Sequence, residues 1–380
     1  MSAILTLNAG SSSLKFARFE AGAGGLRARV RGEIERIGGA ARLVVHEAGG
    51  RTEAAIDAPG HDAALQRVLE VFAGDEVAAV GHRVVHGGDR RGPARLTDAV
   101  MDELAALTPF VPLHQPHNLA AVEAARAAFP TASHVASFDT SFHRAQPFAN
   151  EAYGLPRAAY DRGIKRYGFH GLSHTSITRQ LQRDAPEIAA GRVVIAHLGS
   201  GASLCAVDGG RSVACTMGFS ALDGPLMGTR CGSLDPGVVL YLLAQEGMTV
   251  DEVSKMLHHR SGLLGLSGLS NDMRVLEAAD TAAARAAIDA FVASVRREVG
   301  AMAALLGGLD ALVFTGGIGE NSARVRAAVC ASLGFLGIDL DAAANASGSG
   351  RISGRGPVAV FALKTDEETV IAEGALALMA

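Results

Sequence analysis

Asn8-Ala9-Gly10-Ser11-Ser12-Ser13-Leu14-Lys15 places an amide, three hydroxyls and a cation around a run of small residues, between two apolar stretches. That combination suits an anion. Short side chains leave backbone N–H groups open to a visiting phosphate or carboxylate, and the hydroxyls, Asn8 and Lys15 add donors. Taken alone, the stretch is equally an ordinary Gly/Ser hairpin turn; no Gly-Lys-Thr follows, so it is not a P-loop. The design returns in His197-Leu198-Gly199-Ser200-Gly201-Ala202-Ser203-Leu204. There Gly199-Ser200 matches Gly10-Ser11, and Ser203-Leu204 matches Ser13-Leu14 with one residue inserted. A third glycine turn, Gly316-Gly317-Ile318-Gly319-Glu320-Asn321, follows the apolar run 311–314. Three such loops are hard to explain as chance turns. The self-similarity implies two related halves whose loops face one cleft.

Charged groups stand beside further glycines. Arg83 lies in Gly81-His82-Arg83-Val84-Val85-His86-Gly87-Gly88, at a strand end, where α/β proteins place ligand groups. Arg230 ends Met227-Gly228-Thr229-Arg230, inside the long aperiodic segment 216–237, and is a second candidate anion clamp. Either is also readable as a surface arginine near a turn. Asp139, after the strand 132–138, suits Mg²⁺ or reaction chemistry, or simply caps a turn. Glu367 and Glu368 open a final apolar helix; they complement its dipole or hold Mg²⁺. His170 precedes a helix that Ser173 is expected to cap, and no glutamate lies between it and His174, so no HExxH site arises. His114 and His117 lack the partners of a zinc site.

Holding these groups requires strands and helices in alternation. Strands are expected at 4–7, from Leu14 onward, 41–46, 77–80, 132–138 and 357–363. Helices are expected after Asp62, over 97–110, and from Asn118 to Phe129. Ile288, Phe291, Val292, Val295, Val299 and Met302 form a helical stripe that is core or a dimer seam. The segment 144–160 reads as a domain crossing. At 380 residues the chain supports two or three domains, and a net charge of −4 without basic runs argues against nucleic acid as a partner. Four scattered cysteines, no basic leader and charges interrupting every long apolar stretch give the expectation of a cytoplasmic protein with no membrane span.

These motifs, with Phe138-Asp139-Thr140-Ser141-Phe142-His143 and Tyr167-Gly168-Phe169-His170-Gly171, resemble the acetate/propionate/butyrate kinase family, within the actin- and hexokinase-like ATPases. The likeness runs from Asn8 to Glu368. It implies an α/β fold of two duplicated ribonuclease H-like βββαβαβα domains with the active site in the cleft between them. The first domain would be 1–145 plus 369–380; the second, 146–368, would bind nucleotide and form a homodimer. The implied reaction is Mg²⁺-dependent (or Mn²⁺-dependent) reversible transfer of the ATP γ-phosphoryl group to acetate, giving acetyl phosphate and ADP. By the same resemblance Asn8 and Glu367 (or Glu368) would hold the metal. Ser11, Ser13, Lys15 and His197 to Gly201 would face the phosphates, and Gly316 to Asn321 the adenosine. Arg83 and Arg230 would bind the carboxylate and the moving phosphoryl group, with His170 on its equatorial oxygens, His114 nearby and Asp139 close to the reacting centre.

The chemistry agrees with that cast. Phosphoryl transfer to a carboxylate brings two anions together, so charge neutralisation and in-line positioning dominate. A short carboxylic acid, with a pKa near ~4–5 by analogy with Asp and Glu, is already ionised at pH 7. Asp139 is therefore expected to orient an arginine or a metal-bound water rather than accept a proton, as it would in a sugar kinase. A pyrophosphate-dependent acyl kinase would not need the adenosine loop, and a chaperone- or actin-like ATPase would not need Arg83, His170 and Arg230. The implied acyl pocket is Val85, Leu113, Phe169 and Ala221. The family carries proline at the Ala221 position and asparagine at Ser200. Losing the ring is expected to enlarge the pocket, where one methylene is worth roughly 1–3 kcal/mol, so propionate is expected to be used comparably to acetate. The serine is expected to weaken nucleotide binding without abolishing the reaction.

Overall fold

The run 3–7, apolar except for Thr6, forms a strand covered on both faces, as such runs do in the centre of α/β sheets. The structure, a computed structural model, describes residues 2–10, 13–22, 24–112 and 114–379. It comprises two compact units, Met1–Arg144 with Asp366–Ala380, and Ala145–Thr365. Strands of the first unit are β1 (Ser2–Ala9), β2 (Leu14–Gly22), β3 (Gly25–Glu35), β4 (Arg42–Glu47), β5 (Gly50–Ala55), β6 (Val77–Val84), β7 (Ala94–Arg95) and β8 (Ser133–Phe138). They lie in the order β5-β4-β3-β2-β1-β6-β8-β7. Successive side chains of β1 serve opposite faces. Leu5 and Leu7 pack with Leu65, Val68 and Leu69 of the helix His61–Val71, while Ile4 packs with Ala372 and Ala375 of the helix Glu367–Ala377. That last helix of the chain lies on β1, β6 and β8.

The second unit holds β9 (Arg192–Leu198), β10 (Ala202–Asp208), β11 (Arg211–Cys215), β12 (Ala311–Thr315), β13 (Gly350–Arg351) and β14 (Ala359–Ala362), in the order β11-β10-β9-β12-β14-β13. The two sheets repeat one plan. Three antiparallel strands (β1 to β3; β9 to β11) are extended past the first by two parallel ones (β6, β8; β12, β14), and an antiparallel edge strand closes each sheet (β7; β13). The fold is α/β with two mixed sheets of the expected duplicated pattern. β4 and β5 are additions to the first. The stripe from Ile288 to Met302 is core: the helix Ala282–Leu306 buries it against β9, β10 and β11. No described helix is long and apolar enough to cross a membrane.

Local departures from expectation have local causes. Gly60, not Asp62, occupies the cap position of the helix His61–Val71. Asn118 lies inside the first turn of the helix Gln115–Ala128, and Ser173 inside the first turn of Gly171–Asp184; both side chains are engaged elsewhere. The duplicated hairpins also differ in register. Ala9 pairs with Leu14 and Leu198 with Ala202, so Ser203 sits within β10 opposite His197, while Ser13 stays in its turn.

Gly81 fixes how closely the last helix approaches the first sheet. A Cβ there would lie 2.7 Å from Ile371 Cγ2 and 3.1 Å from the Ile371 carbonyl oxygen, so the helix itself must move. Gly81→Ala is expected to cost about 1–3 kcal/mol by overpacking, read as a lower urea midpoint. An unchanged midpoint contradicts this packing.

Candidate active site

Three neighbouring strands of the first unit end together. Leu7 of β1 pairs with His82 of β6, and Arg83 of β6 with Ser137 of β8, so Asn8, Arg83 and Asp139 emerge at one carboxyl edge of the sheet. Arg83 and Asp139 form a two-pronged pair: Nε donates to Oδ1 at 3.0 Å and Nη2 to Oδ2 at 2.6 Å. Asp139 is only 2% exposed. Burial opposes the charge on Arg83, but the Asp139 carboxylate, with Glu367 and Glu368 adding, raises its pKa above the usual arginine value. The Nη1 end makes longer contacts, 3.2 Å to the Ala9 carbonyl and 3.4 Å to Asn8 Oδ1. The Asp139 carboxylate thus fixes the plane of the Arg83 guanidinium.

The helix Glu367–Ala377 brings two carboxylates to the same edge. Asn8 Nδ2 donates to Glu367 Oε2 at 2.8 Å and to Glu368 Oε1 at 3.0 Å. Asn8 Oδ1 and these carboxylates form an all-oxygen donor set, which fits Mg²⁺ or Mn²⁺. Lys15 pairs with Asn8 across the hairpin, and its charge acts on Glu368.

Two residues that the sequence did not mark hold the segment after Arg83. Asn118 Oδ1 accepts from the Val85 N–H at 3.0 Å. Gln115 brackets His86, accepting from its N–H at 3.3 Å and donating to its carbonyl at 3.0 Å. Both are buried polar residues in a helix start, and only the backbone they hold explains them. His82 and His86, the histidines flanking Arg83, are interior groups. Burial pushes each down to about 3, helped by His134 at His82 and by Arg144 at His86, so both are neutral at pH 7. His114 stands at the cap position of the helix Gln115–Ala128, with no cap bond from its side chain. Ser11 and Leu113 lie outside the described residues; the Ser13 carbonyl accepts from the Gly10 N–H at 2.8 Å.

In the second unit the equivalent hairpin gathers a different set. His170 takes the left-handed conformation (φ 58°) just before the helix Gly171–Asp184. Its Nδ1 lies 2.9 Å from Ser203 Oγ, and His174 Nε2 lies 3.1 Å from the same oxygen. Its ring stacks on His197 at 4.3 Å, and His197 Nδ1 is 2.8 Å from Ser173 Oγ. Arg230 Nη1 donates to the Ala221 carbonyl at 2.6 Å. A Cβ on Gly201 would fall on Arg230 Nη2 and reach 3.3 Å from His170 Nε2, so both donors crowd the turn that glycine keeps open. The Ser200 carbonyl accepts from the Gly228 N–H at 3.1 Å, tying the Arg230 loop to the hairpin.

The third glycine turn is the short helix Gly316–Asn321 at the end of β12. Gly316 has φ 77°, and a Cβ would press on the Leu198 backbone at 2.8 Å. Gly199 lies against this helix: a Cβ there would be 3.9 Å from the Gly317 nitrogen. Gly319 packs toward Ala196, and Ile318 is half-buried. Glu320 turns inward, accepting from the Gly316 N–H at 3.0 Å and the Thr365 N–H at 3.2 Å; Asn321 Nδ2 donates to the Gly317 carbonyl at 2.8 Å. Beneath them the buried Arg326 donates to the Gly319 and Glu320 carbonyls, both at 2.8 Å, and to Asn345. Of the residues expected to line an acyl pocket, Val85 lies in the first unit and Phe169 and Ala221 in the second; Val85 and Phe169 are buried and Ala221 is half-buried.

Burial first, and then the adjacent Glu367 carboxylate, push the Glu368 carboxyl above its usual value. A carboxylate raised in this way destabilises the fold when ionised, so the penalty acts above its raised folded value. It fades as pH falls through the raised folded value and is gone below the unfolded value near ~4.3. Glu368→Gln is therefore expected to gain about 0.5–2 kcal/mol of stability at pH 7, with the gain vanishing near pH 4. An equal gain at both pH values contradicts this assignment.

Comparison with known proteins gives a consistent picture. The family model described as the acetokinase family matches residues 3–373. The chain is 51% identical to an acetate kinase of Methylocella silvestris, covering 99% of this chain and 98% of that protein. It is 46% identical to an acetate kinase of Rhizobium meliloti, over 100% and 99% of the two chains. Among solved structures it is similar to a propionate kinase from Francisella tularensis (TM-score 0.91, 32% identity, 100% of both chains covered). It is also similar to the acetate kinase of Porphyromonas gingivalis (TM-score 0.87, 34% identity, 100% of both chains covered). With a family match over nearly the whole chain and these identities, the chain belongs to the acetokinase family.

Proposed function

We propose that this chain is an acetate kinase, transferring the γ-phosphoryl group of ATP to acetate and back, and that the residues described above are its site. The observation that carries the reading is the pair of arginines, each fixed in orientation beside a Gly/Ser hairpin: Arg83 by Asp139 and Arg230 by the Ala221 carbonyl. Acetate is ionised at pH 7, so no base is needed. One acetate oxygen bonds to phosphorus as the bond to the ADP oxygen breaks, and the barrier is chiefly the repulsion of like charges. Arg83 and Arg230 offset that repulsion, with planar donor forks that fit both carboxylate and phosphate. In this reading His174 Nε2–H donates to Ser203 Oγ, whose hydroxyl donates to His170 Nδ1. His170 then carries its proton on Nε2, beside Arg230, aimed to donate to an equatorial phosphoryl oxygen. Ser11, Ser13, Lys15 and His197 to Gly201 receive the phosphates, and Gly316 to Asn321 receive the adenosine. Mg²⁺ held by Asn8 with Glu367 or Glu368 supplies, when bound, further neutralisation of the nucleotide phosphates.

Ala221, where the family carries proline, favours a wider acyl pocket, and the likeness to a propionate kinase points the same way. Propionate is the second substrate of this reading. The helix Pro236–Ala244 (sequence PGVVLYLLA) buries none of its residues within the chain, and Leu240 and Tyr241 are 65% and 55% exposed. An uncovered apolar face of this kind marks an interface, and it supports a homodimer built on the second unit; a monomer mass in sedimentation at micromolar concentration would count against it. The enzyme is assigned to the cytoplasm, in keeping with four cysteines that form no disulfide.

Hydroxylamine traps acyl phosphates as hydroxamates. With Mg-ATP and a panel of two- to four-carbon acids, hydroxamate is expected from acetate, and from propionate with kcat/KM within about tenfold of it. No product from acetate contradicts the function; propionate a hundredfold below acetate contradicts the reading of Ala221.

A further inference from the structure

Arg31 lies on β3, separated from β1 by β2, and belongs to no glycine turn or motif. Its guanidinium meets the Asp366 carboxylate two-pronged, Nη1 to Oδ1 at 2.9 Å and Nη2 to Oδ2 at 2.8 Å, and Nη2 also donates to Thr369 Oγ1 at 3.2 Å. The Phe19 ring lies beneath it, 5.4 Å from centroid to guanidinium carbon. Asp366 is the cap of the last helix, accepting from the Thr369 N–H at 3.1 Å and from the Thr369 hydroxyl at 2.8 Å. The next two residues are Glu367 and Glu368, the carboxylates that share Asn8. Arg31 Nη1 is itself 4.0 Å from Glu368 Oε2.

We propose that Arg31 is a positioning residue for the cation site: its clamp on Asp366 fixes the first turn of the last helix and thereby holds Glu367 and Glu368 against Asn8. The inference rests on the reading of Asn8 and Glu367 as cation ligands. Two adjacent carboxylates at a helix start repel each other, and only the dipole and local bonds hold the turn in place. The body of the helix is anchored separately, by buried Val370, Ile371, Ala372 and Ala375. Removing Arg31 therefore loosens the first turn while leaving the helix docked. Asp366 and Arg31 are 38% and 39% exposed, and as an isolated surface pair they would contribute little to stability. Their role is geometric: outer partners that orient ligand-bearing groups commonly govern metal affinity about 10–100-fold.

The test is binding of Mn²⁺ alone, followed by the loss of the free Mn²⁺ electron paramagnetic resonance signal as the full-length protein is added. Arg31→Ala is expected to weaken Mn²⁺ binding at least about tenfold, to leave the KM for acetate unchanged, and to shift the melting temperature little. Arg31→Lys, which keeps the charge and loses the fork, is expected to recover part of the affinity. Glu367→Gln serves as the reference. Lost Mn²⁺ binding in Glu367→Gln with wild-type binding in Arg31→Ala overturns the clamp alone. Wild-type binding in both overturns the cation assignment beneath it. Equal weakening of Mn²⁺ and acetate binding in Arg31→Ala also overturns the proposal, because it would show general disorder of the unit.

Discussion

The first unit is organised around a guanidinium held almost out of water by one carboxylate. Taking Arg83 and Asp139 from solvent is costly, and such a pair is weak grounds for stability unless its geometry is good. Here it is good: both prongs are made, with Arg83 on β6 opposite Ser137 of the adjacent parallel strand and Asp139 one residue past that strand's end. The strand ends set the spacing, and the helix Gln115–Ala128 holds the backbone that follows. The return is a cation whose plane is fixed before any anion arrives. Preorganisation of this kind lowers a barrier because no reorientation is needed during the reaction.

The two halves use one plan for different ends. In the first, the strand ends carry an amide and an ion pair, Asn8, Arg83 and Asp139, and the last helix adds two carboxylates. In the second they carry absence of side chain. Gly316 needs a positive φ and meets the Leu198 backbone, and Gly201 makes room for Arg230 and His170. One half is built from charges and the other from space left around a histidine and an arginine.

Much of this was legible in the residues. Asn8 and His170 announce themselves as an amide and an imidazole close to glycine, Arg83 and Asp139 as charges at the ends of apolar runs, and Arg230 as a charge in a long aperiodic segment; the duplicated sheet plan came with the family resemblance. The supporting layer was not legible. Gln115 and Asn118 look like ordinary polar residues of a helix start, since their targets, the Val85 and His86 backbone, lie about thirty residues earlier. Arg326 reads as a surface arginine, yet it is 1% exposed and collects three carbonyl oxygens under the Gly316–Asn321 turn. Ser203 is a plain strand serine until the hairpin register puts it between two histidines. Spacing along a chain reports periodicity; it carries no record of which distant backbone a side chain will satisfy.

That Asp139 acts through Arg83, and not on a proton, is the claim from which the rest follows. It is tested most directly by a double-mutant cycle on kcat/KM for acetate, using Arg83→Ala, Asp139→Ala and the pair together. If Asp139 only orients Arg83, the double variant will be no slower than Arg83→Ala, within about threefold (about 0.7 kcal/mol). Losses that multiply, so that removing Asp139 harms an enzyme already lacking Arg83 as much as it harms the intact one, would contradict the account.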